Sequence, residues 1–438
     1  MKNERQLALE ILLKIYRDKG YSNLTLSKML SRNDGLNQAF ITALIYGVIE
    51  RDLTLAHMIG QYSKQKIEKL DLEVLLILKM GLYQILYMDS VPDNAAVDES
   101  VKLCYDTKKV SAKGFVNGIL RNFIRDGKKL CIQQTDDLKS LSIAYSCPLW
   151  LVQKWTEEYS YEVTKRFLQA SIGRPPLTIR VNTLKITTEE LCQKLIKKHI
   201  QVTVSPDIEN CLILDKTKSL EQLEAFQNGL FYVQDIASQI CVKLAQVKPN
   251  TRVFDMCAAP GSKSFTMAQY MQNQGELFSF DLYEHKLQLI EKTAQRLGIS
   301  NLRVQRQDAC QYNAKLGQAD TVLCDVPCAG LGIIRRKPEI KYKSKQEIEK
   351  LPEIQYQILS NSSSYVKSGG FLIYSTCSVN QEENQQVAQR FLKEHTDFMP
   401  VPIPESMKGF GIIQEYQITL LPQFINSDGF FVARFKRK

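Results

Sequence analysis

Two cysteines and an aspartate carry the most specific chemistry in this chain, in Asp325-Val-Pro-Cys328-Ala-Gly330 and Ser375-Thr-Cys377-Ser378. A single cysteine is usually a small buried hydrophobe. Two of them in polar, turn-forming contexts, each after an apolar run, suggest sulfur chemistry. A thiolate attacks carbon readily once its pKa is lowered. A disulfide or redox pair is the competing use, disfavoured because no C-x-x-C spacing occurs in the chain. A second set of residues suits a nucleoside. The stretch Asp255-Met-Cys257-Ala258-Ala259-Pro260-Gly261-Ser262-Lys263-Ser264 is a turn of mostly small residues leading into a helical pattern. Such a turn lets a ligand approach the backbone and the free N–H groups of a helix start. It is no P-loop, which needs glycine at 257 and 262, and no dinucleotide fingerprint, since only Gly261 is available. Asp281 could accept both hydroxyls of a ribose, and Asp308 could accept a hydrogen bond from an adenine amino group. Each aspartate alone reads equally well as a turn or helix-cap residue. Their place at three successive strand ends favours the nucleoside.

These residues need a sheet to align them. Candidate strands at Arg252–Phe254, Leu277–Phe280, Leu302–Val304, Thr321–Cys324 and Phe371–Tyr374 alternate with helical stretches such as Glu284–Arg296 and Gln346–Ser363. That alternation predicts an α/β domain over 235–438, with a mostly parallel sheet, helices on both faces and ligands at the carboxyl ends of the strands. Upstream, Arg174-Pro175-Pro176 marks a change of pattern. Strands at Leu177–Val181, Leu212–Leu214 and Leu230–Val233, with a capped helix starting at Thr187, predict a small α/β subdomain over 171–234. From Asn3 to about Asp126 apolar residues recur at three- and four-residue spacing, as in Leu7, Ile11, Leu12 and Ile15. Breaks fall at Gly20, Asn33-Asp34-Gly35 and Ser90–Asp93, so 1–130 is expected to be all-helical. A helical connector follows over 131–170, with Pro148 as a helix start and Trp150, Leu151 and Trp155 as its apolar stripe.

Composition sets the outer bounds. Of 438 residues, 44% are apolar and 24% charged, which argues against a disordered, collagen-like or coiled-coil chain. The most apolar stretch, Val74–Tyr87, contains Lys79 and Gln84 and falls short of the roughly 20 residues a membrane span needs. With no signal-peptide core at the N-terminus, a cytoplasmic protein is expected. Eleven scattered cysteines and four distant histidines (His57, His199, His285, His395) give no metal-site spacing, and none is expected. The net charge of +10 suits a polyanionic partner. Arg335, Arg336 and Lys337, with Lys341, Lys343 and Lys345, form a basic run after Cys328 that could neutralise phosphates or be a solvated loop. Arg180 and Asn182, and in the helical part Arg121, Arg125, Lys128 and Lys129, are further candidate contacts for such a partner, which the resemblance described next implies to be RNA.

The motifs around Asp255, Asp325 and Cys377 resemble the signatures of S-adenosylmethionine-dependent RNA cytosine-C5 methyltransferases, with Ser262 in place of a usual glycine and Ser264 in place of threonine. Arg180-Val-Asn-Thr183, Tyr232-Val-Gln-Asp235 and Gly429-Phe-Phe-Val-Ala433 extend the resemblance over about 145–438. Leu82–Asp89, Pro92, Ala95–Val97 and Gly114–Arg121 resemble the NusB-like RNA-binding domain fused to one bacterial branch, the RsmB (Sun or Fmu) type, which methylates a cytosine of small-subunit ribosomal RNA. The resemblance implies a Rossmann-like methyltransferase domain in which the loop Cys257–Lys263 surrounds the methionine part of S-adenosylmethionine. Asp281 would hold the ribose and Asp308 the adenine. Cys377 would be the nucleophile and Cys328 would assist product release, while Asp325 would border the cofactor and orient the cytosine. In DNA-methylating relatives the Pro-Cys cysteine is the nucleophile, so this assignment rests on the presence of both sulfurs. Thiolate attack at C6 makes C5 electron-rich enough to accept a methyl group. A base, for which Cys328 is a candidate, must then remove the C5 proton, and the target base must leave its stack. The expected donor is S-adenosylmethionine, with no metal; the expected partner is small-subunit ribosomal RNA, with no membrane and a monomeric protein. Two alternatives are an RNA-binding ribosome-assembly factor with little catalysis, and the same reaction on transfer RNA.

Overall fold

The computed structural model describes residues 3–18, 22–33, 35–129, 137–215 and 220–438. The expected breaks at Gly20 and Asp34, and the boundary at 130/131, lie outside the described residues. The chain forms two compact units: Met1–Ile172 with Lys337–Tyr342, and Gly173–Arg336 with Lys343–Lys438.

The first unit is helical: α1 (Glu4–Asp18), α2 (Ser22–Leu30), α3 (Gln38–Glu50), α4 (Asp52–Tyr62), α5 (Leu72–Tyr87), α6 (Asp93–Asp106), α7 (Lys113–Arg125), α8 (Leu138–Ala144), α9 (Leu149–Tyr159) and α10 (Tyr161–Ala170). The three- and four-residue periodicity has its physical outcome here. Leu7, Ile11, Leu12 and Ile15 of α1 are buried with Ile41, Leu44 and Val48 of α3 and Leu76, Ile77 and Met80 of α5 in one core. Helix starts follow side-chain chemistry: Asn37 caps α3 and Asp71 caps α5, each accepting a backbone N–H. Burial of α5 on most faces explains its near-continuous apolar sequence. Its buried Lys79 is neutralised by Asp52. Among the described residues no helix is long and apolar enough to cross a membrane.

The second unit holds two sheets. The smaller joins β1 (Leu177–Val181), β2 (Gln201–Val204), β3 (Cys211–Asp215) and β4 (Phe231–Val233) in the order β2-β3-β1-β4, all antiparallel. Helices α11 (Thr188–Lys197) and α12 (Glu224–Gln227) accompany it, and α11 opens with a capping box between Thr187 and Glu190. The larger sheet contains β5 (Arg252–Asp255), β6 (Glu276–Asp281), β7 (Leu302–Arg306), β8 (Ala319–Asp325), β9 (Val366–Thr376), β10 (Phe398–Pro400), β11 (Gly411–Gln414), β12 (Gln417–Leu420) and β13 (Phe430–Arg437). Its order is β11-β12-β13-β9-β8-β5-β6-β7, with β10 on β13. The strands β7, β6, β5, β8 and β9 are parallel. The expectation of a mostly parallel sheet holds for that half; β10 to β13 add an antiparallel half, so the sheet is mixed. Helices α13 (Ile236–Ala245), α14 (Ser262–Tyr270), α15 (Glu284–Leu297), α16 (Lys345–Glu349), α17 (Leu351–Ser363) and α18 (Gln385–Glu394) cover it. Within this unit Tyr232 of the small sheet hydrogen-bonds Thr266 of α14 at 2.8 Å. Gln234 also donates to Ser262 O at 3.0 Å.

Candidate active site

The carboxyl ends of β5, β6, β8 and β9 bring the chemistry-bearing residues together. The chain leaves β5 at Asp255 and enters α14 through Gly261, whose φ of +100° favours glycine. Ser262 is the first helical residue and is not at positive φ, so its replacement of a usual glycine strains nothing. The backbone N–H of Ala258 donates to Phe280 O at 2.8 Å, tying this loop to the end of β6. Asp281 is nearly buried and accepts the Tyr283 N–H at 3.1 Å and the Ala259 N–H at 3.4 Å. Asp308, past β7, accepts the Cys310 N–H at 2.9 Å. Both aspartates therefore serve as turn residues, and Asp281 also touches the loop through the Ala259 N–H.

Asp255 opens the loop at the end of β5. It is 1% exposed, its Oδ2 accepts the Ser264 hydroxyl at 2.6 Å, and its Oδ1 has no hydrogen-bond partner. Burial pushes its carboxyl up to about 7, and the charge of Asp325 adds to this. A buried acceptor without a donor beside a small-residue loop fits a ligand that brings one. Lys263, 9% exposed, turns to β8, its Nζ 2.7 Å from Asp325 Oδ2. Burial pulls the ammonium pKa down, but the Asp325 carboxylate outweighs it and the net direction is up. Asp325 Oδ1 accepts the Ser375 hydroxyl at 2.9 Å, so this carboxylate is held from helix α14 and from strand β9.

The sulfurs of Cys328 and Cys377 lie 3.2 Å apart and both residues are half-buried. The Cys328 thiol is held well above its ordinary pKa by its hydrogen bond to Cys377, then by burial and by the charges of Glu383 and Asp325. Cys257 is likewise pushed up, by burial. The turn after Cys328 passes so close to its neighbours that a Cβ on Gly332 would sit 1.9 Å from Gly429 O. Gly332 N–H donates to Cys377 O at 2.9 Å, and Gly429 N–H donates to Gly332 O at 2.8 Å. Among the described residues no cluster of three or more His, Cys, Asp or Glu is placed to hold a metal.

Several expected RNA contacts are corrected by the structure. Arg180 is 1% exposed, donating to Gln269, Gln239 and Glu209 O over the ring of Tyr270. Asn182 is fully buried and its amide bridges Gly229 O and Leu297 O. Both join the small sheet to the helices beneath it and neither can reach a phosphate. Arg336 is taken up by Asp235 (2.8 Å) and Asp428 (2.7 Å). Burial and the Asp235 charge push the Asp428 carboxyl up to about 7 despite Arg336. Arg335 donates to Asn426 and to Arg174 O. Lys337 belongs to the helical unit, as does Lys341, which is buried and donates to Glu50 O at 2.9 Å. Lys343 donates to Ala329 O at 2.9 Å. The basic run is thus largely internal wiring. In the helical unit Arg121 and Lys128 are exposed but paired with Asp98 and Asp93, Arg125 donates to Asn122, and Lys129 is exposed.

Comparison with known proteins agrees with this architecture. A family model described as 16S rRNA methyltransferase RsmB/F matches residues 242–436. The NusB family matches residues 2–125, and a ferredoxin-like domain of RsmF/B-like methyltransferases matches 147–221. A protein of Bacillus subtilis named probable ribosomal RNA small subunit methyltransferase B is 33% identical over 99% of this chain and 98% of its own. One of the same name from Synechocystis is 33% identical over 100% of both. The crystal structure of PH0851 superposes with a TM-score of 0.80 at 23% identity, covering 99% of this chain and 98% of that one. A NusB-type helical domain, a ferredoxin-like domain and a methyltransferase domain with a mixed sheet thus follow one another, and with full-length relatives at one third identity the chain belongs to the ribosomal RNA small subunit methyltransferase B family.

Proposed function

We propose that this protein transfers a methyl group from S-adenosylmethionine to C5 of a cytosine in small-subunit ribosomal RNA, through a covalent bond between Cys377 and C6. The observation that carries the reading is the pair of sulfurs 3.2 Å apart at adjacent strand ends, next to Asp325. When bound, S-adenosylmethionine supplies an electrophilic methyl group on a sulfonium. The loop Cys257–Lys263, Asp281 and Asp308 would hold it, and the unpaired Oδ1 of Asp255 offers a further acceptor. The Cys377 thiolate would add to C6, and the electron pair displaced from the C5–C6 double bond would take the methyl group at C5 as the bond from that methyl to the donor sulfur breaks, leaving S-adenosylhomocysteine. Cys328, its sulfur 3.2 Å from that of Cys377, is the group placed to assist release of the product. Asp325, anchored by Lys263 and Ser375, presents a carboxylate to the N3/N4 edge of the base. Loss of the C5 proton to a base then restores the double bond as the C6–S bond breaks and the thiolate leaves.

The test is transfer of labelled methyl groups to small-subunit ribosomal RNA by wild type, Cys377→Ala and Cys328→Ala. Label in 5-methylcytosine for wild type, none for Cys377→Ala, and an accumulating protein–RNA adduct for Cys328→Ala are expected. Normal methylation by Cys377→Ala would sink the assignment of the nucleophile.

A further inference from the structure

One buried carboxylate, unused in the reaction above, lies beneath both cysteine turns. Glu383 is completely buried. Its Oε2 accepts the backbone N–H of Ala329 at 2.7 Å and Nε2 of Gln355 at 2.9 Å. Its Oε1 accepts the Ser378 hydroxyl at 2.6 Å and the Asn380 amide at 3.3 Å. Ala329 follows Cys328 and Ser378 follows Cys377, so a single side chain grips the residue after each sulfur. Gln355 extends the grip, because its Nε2 also donates to Pro327 O at 2.9 Å on the other side of Cys328. The hydroxyl of Tyr374 donates to the main-chain oxygen of Glu383 and anchors it to β9.

All four partners of the side chain are neutral donors, the pattern of a carboxylate without a compensating cation. Burying such a charge costs several kcal/mol, yet both oxygens then accept at once, whereas a neutral amide bridges the same groups with a single acceptor oxygen. Ser378 can reverse its hydroxyl and Asn380 can flip its amide, whereas the Ala329 N–H cannot change role.

We propose that Glu383 is a positioning residue for the sulfur pair: its two oxygens, one on the residue after Cys328 and one on the residue after Cys377, set the spacing of the two turns. The upward push that Glu383 exerts on the Cys328 thiol agrees with a carboxylate seated against that turn. The catalytic consequence rests on the two-cysteine reaction proposed above; the seating of the carboxylate at the Cys328 turn does not.

Two measurements on the full-length protein separate these. In a Cys377→Ser background, alkylation of Cys328 by iodoacetamide is followed against pH by peptide mass spectrometry, with and without Glu383→Gln. The amide keeps the bridge and removes the charge, so the midpoint is expected to move to lower pH by about one unit. An unchanged midpoint would show that the carboxylate is not seated against the Cys328 turn, and overturns the proposal. With both cysteines present, Glu383→Ala frees the turns, and a displacement of about 1 Å lowers kcat roughly 100-fold. KM for S-adenosylmethionine should change little, because none of the carboxylate's four hydrogen-bond partners belongs to the Cys257–Lys263 loop. An unaltered kcat in a folded Glu383→Ala protein also overturns it. Should that variant not fold, the alkylation profile of Glu383→Gln decides. A wild type that transfers nothing, while the Cys328 midpoint still moves, would refute the proposed reaction and leave the positioning role intact.

Discussion

Replacing Asn182 by alanine separates a structural role from an RNA contact. The amide of Asn182 donates to Gly229 O at 2.8 Å and to Leu297 O at 2.7 Å, and its carbonyl accepts the Leu184 N–H at 3.3 Å. The residue is 0% exposed, so water cannot replace those bonds without entering the packed seam between β1, β4 and α15. Each of the two short bonds is worth about 1 kcal/mol net, and a void or an undersatisfied carbonyl adds about 1 more, giving roughly 3 kcal/mol. With a urea m-value of about 3 kcal/mol/M, that lowers the unfolding midpoint of the second unit by roughly 1 M. Asn182→Asp should be at least as damaging, since it turns the donor into an acceptor facing two carbonyls. The assay is urea unfolding followed by tyrosine fluorescence, paired with RNA affinity at several salt concentrations under native conditions. A phosphate contact predicts an unchanged midpoint and a shallower salt dependence. That result would refute the reasoning.

Two further predictions come from the active-site region. Asp255 has a folded pKa of about 7, above an unfolded value of about 3.9, so it favours folding while protonated. This contribution is full below about pH 4, declines as pH rises through 7 and amounts to roughly 4 kcal/mol. Asp255→Asn should flatten the fall in Tm between pH 4 and 7 in differential scanning fluorimetry; parallel curves for the two proteins would show the carboxyl to be ordinary. Gly332→Ala places a methyl group 1.9 Å from Gly429 O and 2.9 Å from Cys377 O. It should cost about 1–3 kcal/mol and reduce methyl transfer at least tenfold by displacing the Cys377 turn, and wild-type Tm and turnover together would exclude this.

The parallel strands were legible because each is a short apolar run ending in polar or small residues, and strand ends are where side chains converge. The antiparallel half was not. Gln417–Leu420 is a four-residue strand whose identity depends on pairing with β13, and Gly411–Gln414 depends in turn on pairing with Gln417–Leu420, which no local pattern announces. Arg180 and Asn182 misled for a different reason. Alternation assigns polar residues to solvent, but β1 is covered on both faces, so its polar side is the seam to α13 and α14. The basic run after Cys328 looked like a phosphate surface because its partners Asp235 and Asp428 are each about a hundred residues away. Glu383 gave only a weak signal, an acid between Asn380 and Asn384 in a polar segment after the Cys377 motif. What it does depends on four donors, of which Ala329 and Gln355 come from distant parts of the chain.

The placement of Lys337–Tyr342 in the helical unit has a bearing on biosynthesis. The unit that begins at the N-terminus is completed by residues made roughly 165 positions after Ile172, which at about 5–20 residues per second is a delay of roughly 10–30 s. During that interval the pocket for Lys341 beside Glu50 O and the Tyr342 site at Ser146 have no occupant from their own chain. The helices can assemble as they emerge, yet their final closure waits until the ribosome has passed the Pro-Cys turn. Maturation of the helical unit is in this way timed by synthesis of the chain that carries Cys328.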